Sequence, residues 1–252
     1  MTELWLFLFL VLAGIVAGIV SVISSMASLV SYPALLLAGV SPVYANMTNT
    51  AALIFTGVGS TLSSWKELRT SWRSYLRLML VSLVGALVGS LLLVKFPGKI
   101  FERLVPFFVL FSAFLFLMSG KQASNSEVVQ GRWARLLVHI GIFVSGMYTG
   151  YFGAAAGVLL LLMLSEISPD NFIVKNAFKN VIGSCGNLIA LLVFALTARV
   201  YWEKAIPLAI GLFIGGYIGQ RCLKYLPVKL VQKITFTFAV LLAAYLGYQA
   251  YL

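Results

Sequence analysis

The chain is organised around residues 168–187, Ser-Pro-Asp-Asn-Phe-Ile-Val-Lys-Asn-Ala-Phe-Lys-Asn-Val-Ile-Gly-Ser-Cys-Gly-Asn. This stretch opens a segment that stays apolar to Leu196, which is long enough to cross a bilayer as a helix. Charge inside a membrane span costs free energy and usually marks a pathway or a site, so we interpret one side of this helix as the floor of an anion site. The polar residues that share this side are Lys175, Asn176, Lys179 and Asn180.

Lys179 is expected near the middle of the membrane. It lies about 14 Å beyond Asp170 along a helix, close to the midplane of a hydrocarbon core of about 30 Å. We therefore predict substrate contact at Lys179 and Asn180, with Asn176 beside them. Lys175 lies nearer the helix end, where its side chain can also extend to the membrane interface, so both roles stay open for it.

The composition is that of a helical membrane protein. Of the 252 residues, 61% are hydrophobic and 10% are charged, and the mean hydropathy is +1.01. No soluble domain of this size is that apolar, and the apolar runs lack the alternation of membrane β-strands. The net charge of +11 sits mostly in short loops, so topology and lipid headgroups explain it better than nucleic acid does. Cys185, Cys222 and His139 form neither a disulfide framework nor a metal motif.

A polar linker near the middle divides the apolar segments into two groups. We predict a first transmembrane repeat at 1–120, a linker at 121–133 and a second repeat at 134–252. The apolar segments run roughly from 4–40, 43–64, 74–94, 104–119, 134–164, 171–197, 205–220 and 234–251.

The two halves repeat each other, which is a common way to build a transporter. Shifts of 127 and then 130 residues bring rare residues into register. The aligned pairs include Gly14 with Gly141, Asn49 with Asn176, Trp72 with Trp202 and Pro97 with Pro227.

The first segment of each half is too long for one crossing and too short for two. As helices, 4–40 would measure about 55 Å and 134–164 about 46 Å. Each has a weak middle, at Ser24-Ser25 and at 150–153. We predict that each is a hairpin of two helices whose tip lies inside the membrane or near its far face, which gives about ten helical legs in all.

Five legs in each half require the two halves to be inverted. Inversion places eleven loop lysines and arginines on one side and five on the other, against nine and seven if the first segments cross once. The positive-inside rule prefers the inverted arrangement, which leaves both termini outside.

The hairpin tips are a second candidate for anion binding. A helix that begins inside the membrane points free backbone N–H groups and a partial positive charge beyond its end, and broken helices in transporters use such ends to hold anions. Small residues there can equally serve close packing alone. The candidate donors are Ser25, Met26, Gly153 and Ala154, and Asn49 after the first tip adds an amide.

The positions of the acidic residues argue against cation binding and proton transfer within the membrane. All seven lie near span ends or in joints, so a cation site or a carboxylate proton relay has no residues to use. No catalytic triad, zinc signature or phosphate-binding loop is present, so neither an enzyme, a metal nor a cofactor is expected.

Each repeat begins with a Gly-rich broken span and closes with a Gly-x3-Gly span followed by Pro, here Gly85, Gly89 and Pro97, then Gly215, Gly219 and Pro227. With these features the chain resembles the TauE/SafE sulfite exporter family, also called the toluene sulfonate uptake permease family. The resemblance covers nearly the whole chain. It implies transport of small sulfur-containing anions or organic acids across a bacterial-type cytoplasmic membrane without a bound cofactor. The chain departs from the family at 24–28, where it has Ser-Ser-Met-Ala-Ser in place of a glycine run.

The resulting hypothesis is a multi-pass secondary transporter that carries a small anion by alternating access, with sulfite or another sulfur oxyanion or organosulfonate as first candidate. An anion channel and a non-transporting membrane scaffold or assembly factor remain alternatives. The expected partners are the anion and membrane lipid, without nucleic acid. Glycines spaced by four, as at Gly14 and Gly18, could form a homodimer or be used inside one protomer.

Overall fold

The computed structural model describes residues 3–96, 98–119, 131–222 and 228–251, and within these ranges the chain is helical without any strand. The all-α prediction is therefore confirmed. Pro97, Pro227 and 120–130 of the linker lie outside the described residues. The helices are α1 (Glu3–Ser24), α2 (Ser28–Leu37), α3 (Pro42–Ser63), α4 (Trp65–Lys95), α5 (Gly98–Ser119), α6 (Arg132–Tyr151), α7 (Ala156–Ile167), α8 (Phe172–Thr197), α9 (Trp202–Cys222) and α10 (Val228–Tyr251).

Four stretches of these helices are long and apolar enough to cross a membrane: Glu3–Ser24, Ser71–Lys95, Phe172–Thr197 and Trp202–Cys222. Shorter apolar stretches occur in α2, α7 and α10. Large apolar side chains such as Leu12, Leu91 and Leu192 are exposed, whereas Asn49 and Lys179 are buried. This distribution is the reverse of that in a soluble protein, and it identifies the outer surface as the one that faces lipid.

Both long first segments are broken at the predicted places. α1 ends at Ser24 and α2 begins at Ser28, while α6 ends at Tyr151 and α7 begins at Ala156. α2 and α7 have 10 and 12 residues, or about 15 and 18 Å, so each is too short to cross a core of about 30 Å.

Close glycine contacts join α1 to α9 side by side in the same direction. A β-carbon on Gly14 would overlap the backbone of Leu208 and Gly211, and one on Gly18 would overlap the backbone of Leu212 and Gly216. The contact advances along both helices together, so the two run parallel. Glycine is needed here because the backbones lie too close for any side chain.

The same arrangement recurs between α4 and α6. Gly85 faces the carbonyl of Phe143 and Gly89 that of Met147, so these helices are also parallel. In the two-repeat arrangement, α6 is the counterpart of α1 and α9 is the counterpart of α4. When each helix is replaced by its counterpart, the α1–α9 pair becomes the α6–α4 pair. The most extensive contacts between helices therefore recur when the halves are exchanged, and α3–α9 likewise becomes α8–α4.

Two further pairs join a helix to its own counterpart in the other half, and both are antiparallel. Gly57 of α3 faces Asn180 of α8, whereas Thr48, earlier in α3, accepts a hydrogen bond from the amide of Tyr201 just after α8. At the α5–α10 pair, Gly247 faces Pro106 and the Tyr251 hydroxyl donates to the carbonyl of Arg103 at 3.1 Å.

The glycines spaced by four pack inside one protomer and therefore give no support to a homodimer. The glycines spaced by four lie against other helices of the same chain, because backbones at these crossings approach too closely to leave the glycine faces free. This applies to Gly14, Gly18, Gly85, Gly89, Gly211, Gly215 and Gly219.

The α1–α9 contact predicts a large effect of one methyl group. Gly14→Ala should lower the free energy of unfolding by about 1–3 kcal/mol, because the β-carbon would overlap the carbonyl oxygen of Leu208. The loss would appear as a lower melting temperature of the detergent-purified protein, by about 2–4 °C per kcal/mol. Gly247→Ala is the control, since its nearest neighbour, Pro106, would be 3.9 Å away. Equal melting temperatures for the two variants would contradict this packing.

Candidate functional site

A cavity of about 70 Å³ lies where the two helix breaks meet. Both breaks contribute to its wall, and α1, α3, α6 and α8 complete it, so neither half forms the cavity alone. The lining residues are Ser21, Ser25, Ala27, Ser28, Leu53, Thr56, Gly57, Thr149, Gly153, Ala156, Gly157, Lys179, Asn180, Gly183, Ser184 and Asn187.

Lys179 supplies the charge of this cavity. It is 3% exposed, and its Nζ donates to the Ser25 hydroxyl at 2.8 Å and more weakly to the Ser21 carbonyl at 3.4 Å. Both acceptors belong to the end of α1, where the helix dipole favours a cation. Among the residues that the structure describes, no acidic side chain interacts with this ammonium. The Lys179 amine is therefore held by neutral groups, and its charge when protonated has no acidic partner in the described part of the chain.

Two helix N-termini add positive potential. α2 begins at Ser28 and α7 at Ala156, and neither first turn has a side-chain cap. Residues at both starts line the cavity. Most first-turn amides of both helices already donate to nearby carbonyls, those of Leu29, Val30, Ser31, Ala156 and Val158. The partial positive charge of the two helix dipoles therefore remains as the feature that favours an anion in this place.

At two tip positions, the backbone amides predicted to bind an anion already donate hydrogen bonds within the protein. The Ser25 amide donates to the Ser21 carbonyl and the Gly153 amide to the Tyr148 carbonyl, each at 2.8 Å, so both are already used. Ser25 contributes its hydroxyl instead. Met26 and Ala154 are fully buried but do not line the cavity.

Unusual backbone conformation shapes both tips. Ser25 has a φ of 60° and Gly153 a φ of 78°, in the left-handed region that costs ordinary residues free energy. The tips also touch: a β-carbon on Gly157 would come within 2.8 Å of the Ser25 β-carbon and 3.3 Å of Lys179 Cδ. A glycine at 157 therefore lets the second tip approach the lysine and its serine partner.

The side-chain amides of two asparagines on α8 are bound by a residue that the sequence analysis did not predict. The side-chain amides of Asn176 and Asn180 donate to the side-chain Oε1 of Gln220 in α9 at 3.2 and 3.4 Å. Asn180 lines the cavity and Asn176 does not, so Asn176 belongs to the supporting layer. The sequence signal that could have indicated this residue is a polar Gln220 at the end of an apolar span.

The remaining predicted residues lie outside the cavity wall. Asn49 donates to the Ser28 hydroxyl at 3.1 Å and so supports a residue that does line it. Lys175 is partly exposed and does not line the cavity.

The cavity residues that were not predicted include three polar ones on α3 and α8: Thr56, Ser184 and Asn187. Ser184 and Asn187 follow Asn180 at helical spacing, so extending the polar face of α8 would have found them. Thr56 follows Asn49 by seven residues on α3, and its buried hydroxyl has no hydrogen-bond partner in the described part of the chain. It is thus available to a bound molecule.

The model of one protein family, described as Sulfite exporter TauE/SafE, matches residues 10–246. The chain belongs to this family. It is a membrane transporter, and the resemblance noted in the sequence is confirmed. The family and its relatives are named as membrane transporters rather than as enzymes.

Relatives match over nearly their whole length. Probable membrane transporter protein ORF9 of Sinorhizobium sp is 25% identical over 238 residues, which cover 93% of this chain and 90% of that protein. YfcA of Escherichia coli strain K12, also named a probable membrane transporter protein, is 24% identical over 238 residues, covering 94% and 88%. The similarly named YunE of Bacillus subtilis strain 168 is 24% identical and covers 96% and 98%. No solved structure matches this chain significantly.

Two substitutions of Ser25 should separate the effect of losing its hydroxyl from the effect of its backbone conformation. Ser25→Gly and Ser25→Ala both remove the acceptor of the Lys179 hydrogen bond, but only alanine keeps a β-carbon at positive φ. We expect the glycine variant to be the more stable of the two by about 1 kcal/mol, measured as a melting temperature about 2–4 °C higher. An alanine variant at least as stable as the glycine variant would show that Ser25 is unstrained.

Proposed function

We propose that this family member is a secondary transporter of a small anion, with sulfite or another sulfur oxyanion or organosulfonate as substrate. The observation that carries the proposal is the buried Lys179 ammonium, which lines a cavity and has no acidic partner among the described residues. Leaving a buried charge uncompensated costs several kcal/mol. A bound anion would supply the missing charge.

The cavity offers an anion several kinds of partner. Lys179 provides charge, the starts of α2 and α7 provide helix N-termini, and the Thr56 hydroxyl is free to donate. Asn180 adds an amide that Gln220 holds in place. The cavity volume is about 70 Å³. This size favours a compact oxyanion over a bulky aromatic sulfonate in the present conformation.

We further propose that the two halves are inverted repeats that move against each other. The recurrence of the most extensive helix contacts on exchange of the halves supports a pseudo-twofold relation. The antiparallel pairing of α3 with α8 and of α5 with α10 supports inversion, because each pair joins counterparts that point in opposite directions. Rocking of the halves would open the cavity to one side and then to the other.

This proposal places the protein in the cytoplasmic membrane as a multi-pass transporter. Sulfite is proposed on the family description together with the size and charge of the cavity.

The two lysines of α8 provide a matched pair for the first test. We expect sulfite to raise the melting temperature of the detergent-purified protein, because a ligand that binds only the folded state stabilises it by mass action. The rise should be lost in Lys179→Met, which removes the charge of the cavity, and kept in Lys175→Met, which lies one turn earlier and outside the cavity. Thiosulfate, sulfate, sulfoacetate, taurine and simple carboxylates complete the panel.

Two other results of this test are possible, and each leads to a different conclusion. A rise that survives Lys179→Met would move the anion to the helix N-termini or another site. The absence of a rise with every anion would contradict the proposed anion site.

Alternating access predicts that a cavity residue is reached from one side at a time. We expect Thr56→Cys, made with Cys185→Ser and Cys222→Ser, to react with a charged thiol reagent from either face of sealed vesicles. Sulfite should slow this reaction by filling the cavity. Val58→Cys is the control, since its side chain is exposed on the outer apolar surface and should not react. Unsaturable sulfite flux with simultaneous access from both faces would instead indicate a channel.

A further inference from the structure

A second cavity lies on the outer surface between α3 and α9. Its volume is about 410 Å³, and all of its lining side chains are apolar. Ala51, Ala205 and Ala209 are buried and form its floor, whereas Phe55 and Ile206 are exposed and form its walls. Small residues below and large ones beside them make an apolar groove on the surface that faces lipid.

The length of the groove corresponds to one leaflet of a bilayer. Along α9 it extends from Trp202 to Phe213, about 16 Å at the rise of a helix. Half of a hydrocarbon core of about 30 Å is close to this length. Trp202 is exposed at one end, and tryptophan is typical of the membrane–water interface. The groove therefore runs from the interface toward the middle of the membrane.

Cationic side chains stand at the Trp202 end. The Arg199 guanidinium carbon lies 5.0 Å from the centre of the Tyr201 ring, and Lys204 Nζ lies 5.4 Å from the same centre. Tyr201 directly precedes Trp202, so both cations lie at the Trp202 end of α9, which we call the mouth of the groove. With the exposed carboxylate of Glu203 included, this mouth keeps a net charge of +1.

We propose that the groove binds one anionic phospholipid, with an acyl chain along α9 and the headgroup phosphate between Arg199 and Lys204. The apolar lining suits the chain and the paired cations suit the phosphate. The bound chain would lie against Phe55 and Val58 of α3, and Phe55 directly precedes Thr56, a cavity residue. The lipid would thus brace the wall of the anion site, although the proposal does not depend on what that site carries.

The test compares phosphatidylglycerol with phosphatidylcholine on the delipidated, detergent-purified protein. We expect phosphatidylglycerol to raise the melting temperature by about 3 °C or more above phosphatidylcholine, and native mass spectrometry to show one retained phosphatidylglycerol. Ala209→Leu, which fills the floor, should abolish both effects, whereas Ala244→Leu on the exposed face of α10 should keep them. Arg199→Gln with Lys204→Gln should make the two lipids equivalent.

Three results would overturn the proposal. The first is an unchanged phosphatidylglycerol effect in Ala209→Leu. The second is a preference for phosphatidylglycerol that persists without Arg199 and Lys204. The third is a dimer, measured by light scattering, that Ala209→Leu converts to a monomer while leaving lipid binding unchanged, because a second copy would then cover the groove. No sulfite or other small anion is added in this test, so its outcome is distinguishable from that of the sulfite experiments.

Discussion

The hydrogen bond from Lys179 to Ser25 is the interaction on which the centre of this protein depends. An ammonium group away from water is costly, and here three features lower its cost without neutralising it. They are the Ser25 hydroxyl, the more distant Ser21 carbonyl and the negative end of the α1 dipole. Because these partners are uncharged, the positive charge of the lysine remains available to an anion.

The same contact ties the halves together, and a second one does so at the other break. Lys179 of α8 binds the end of α1, and Asn46 of α3 donates to the Tyr151 carbonyl at the end of α6 at 3.0 Å. Each broken helix therefore has its exposed carbonyl end satisfied by a polar side chain from the other half. One contact carries charge and the other does not, so the anion site is asymmetric even though the helix arrangement repeats.

Glycine packing makes this geometry possible. Close parallel contacts, α1 with α9 and α4 with α6, connect the halves at two places, and Gly157 lets the second break reach Ser25. Any relative motion of the halves would change the cavity wall, since both breaks contribute to it. The apolar groove between α3 and α9 lies on the outside of one of these junctions, where a lipid could influence the fit of the halves.

The sequence by itself determined the helical class, the two breaks and the burial of Lys179, because hydropathy, helix length and the cost of intramembrane charge are local properties of the chain. It also placed Asn180 beside Lys179 through helical spacing alone. Only the tertiary structure decided which polar groups meet: that Gln220 holds Asn180, that Thr56 faces the cavity, and that the Ser25 hydroxyl rather than its amide serves the site. These contacts join residues far apart in the chain, and they depend on how closely the helix backbones approach, which the spacing of residues within one helix does not specify.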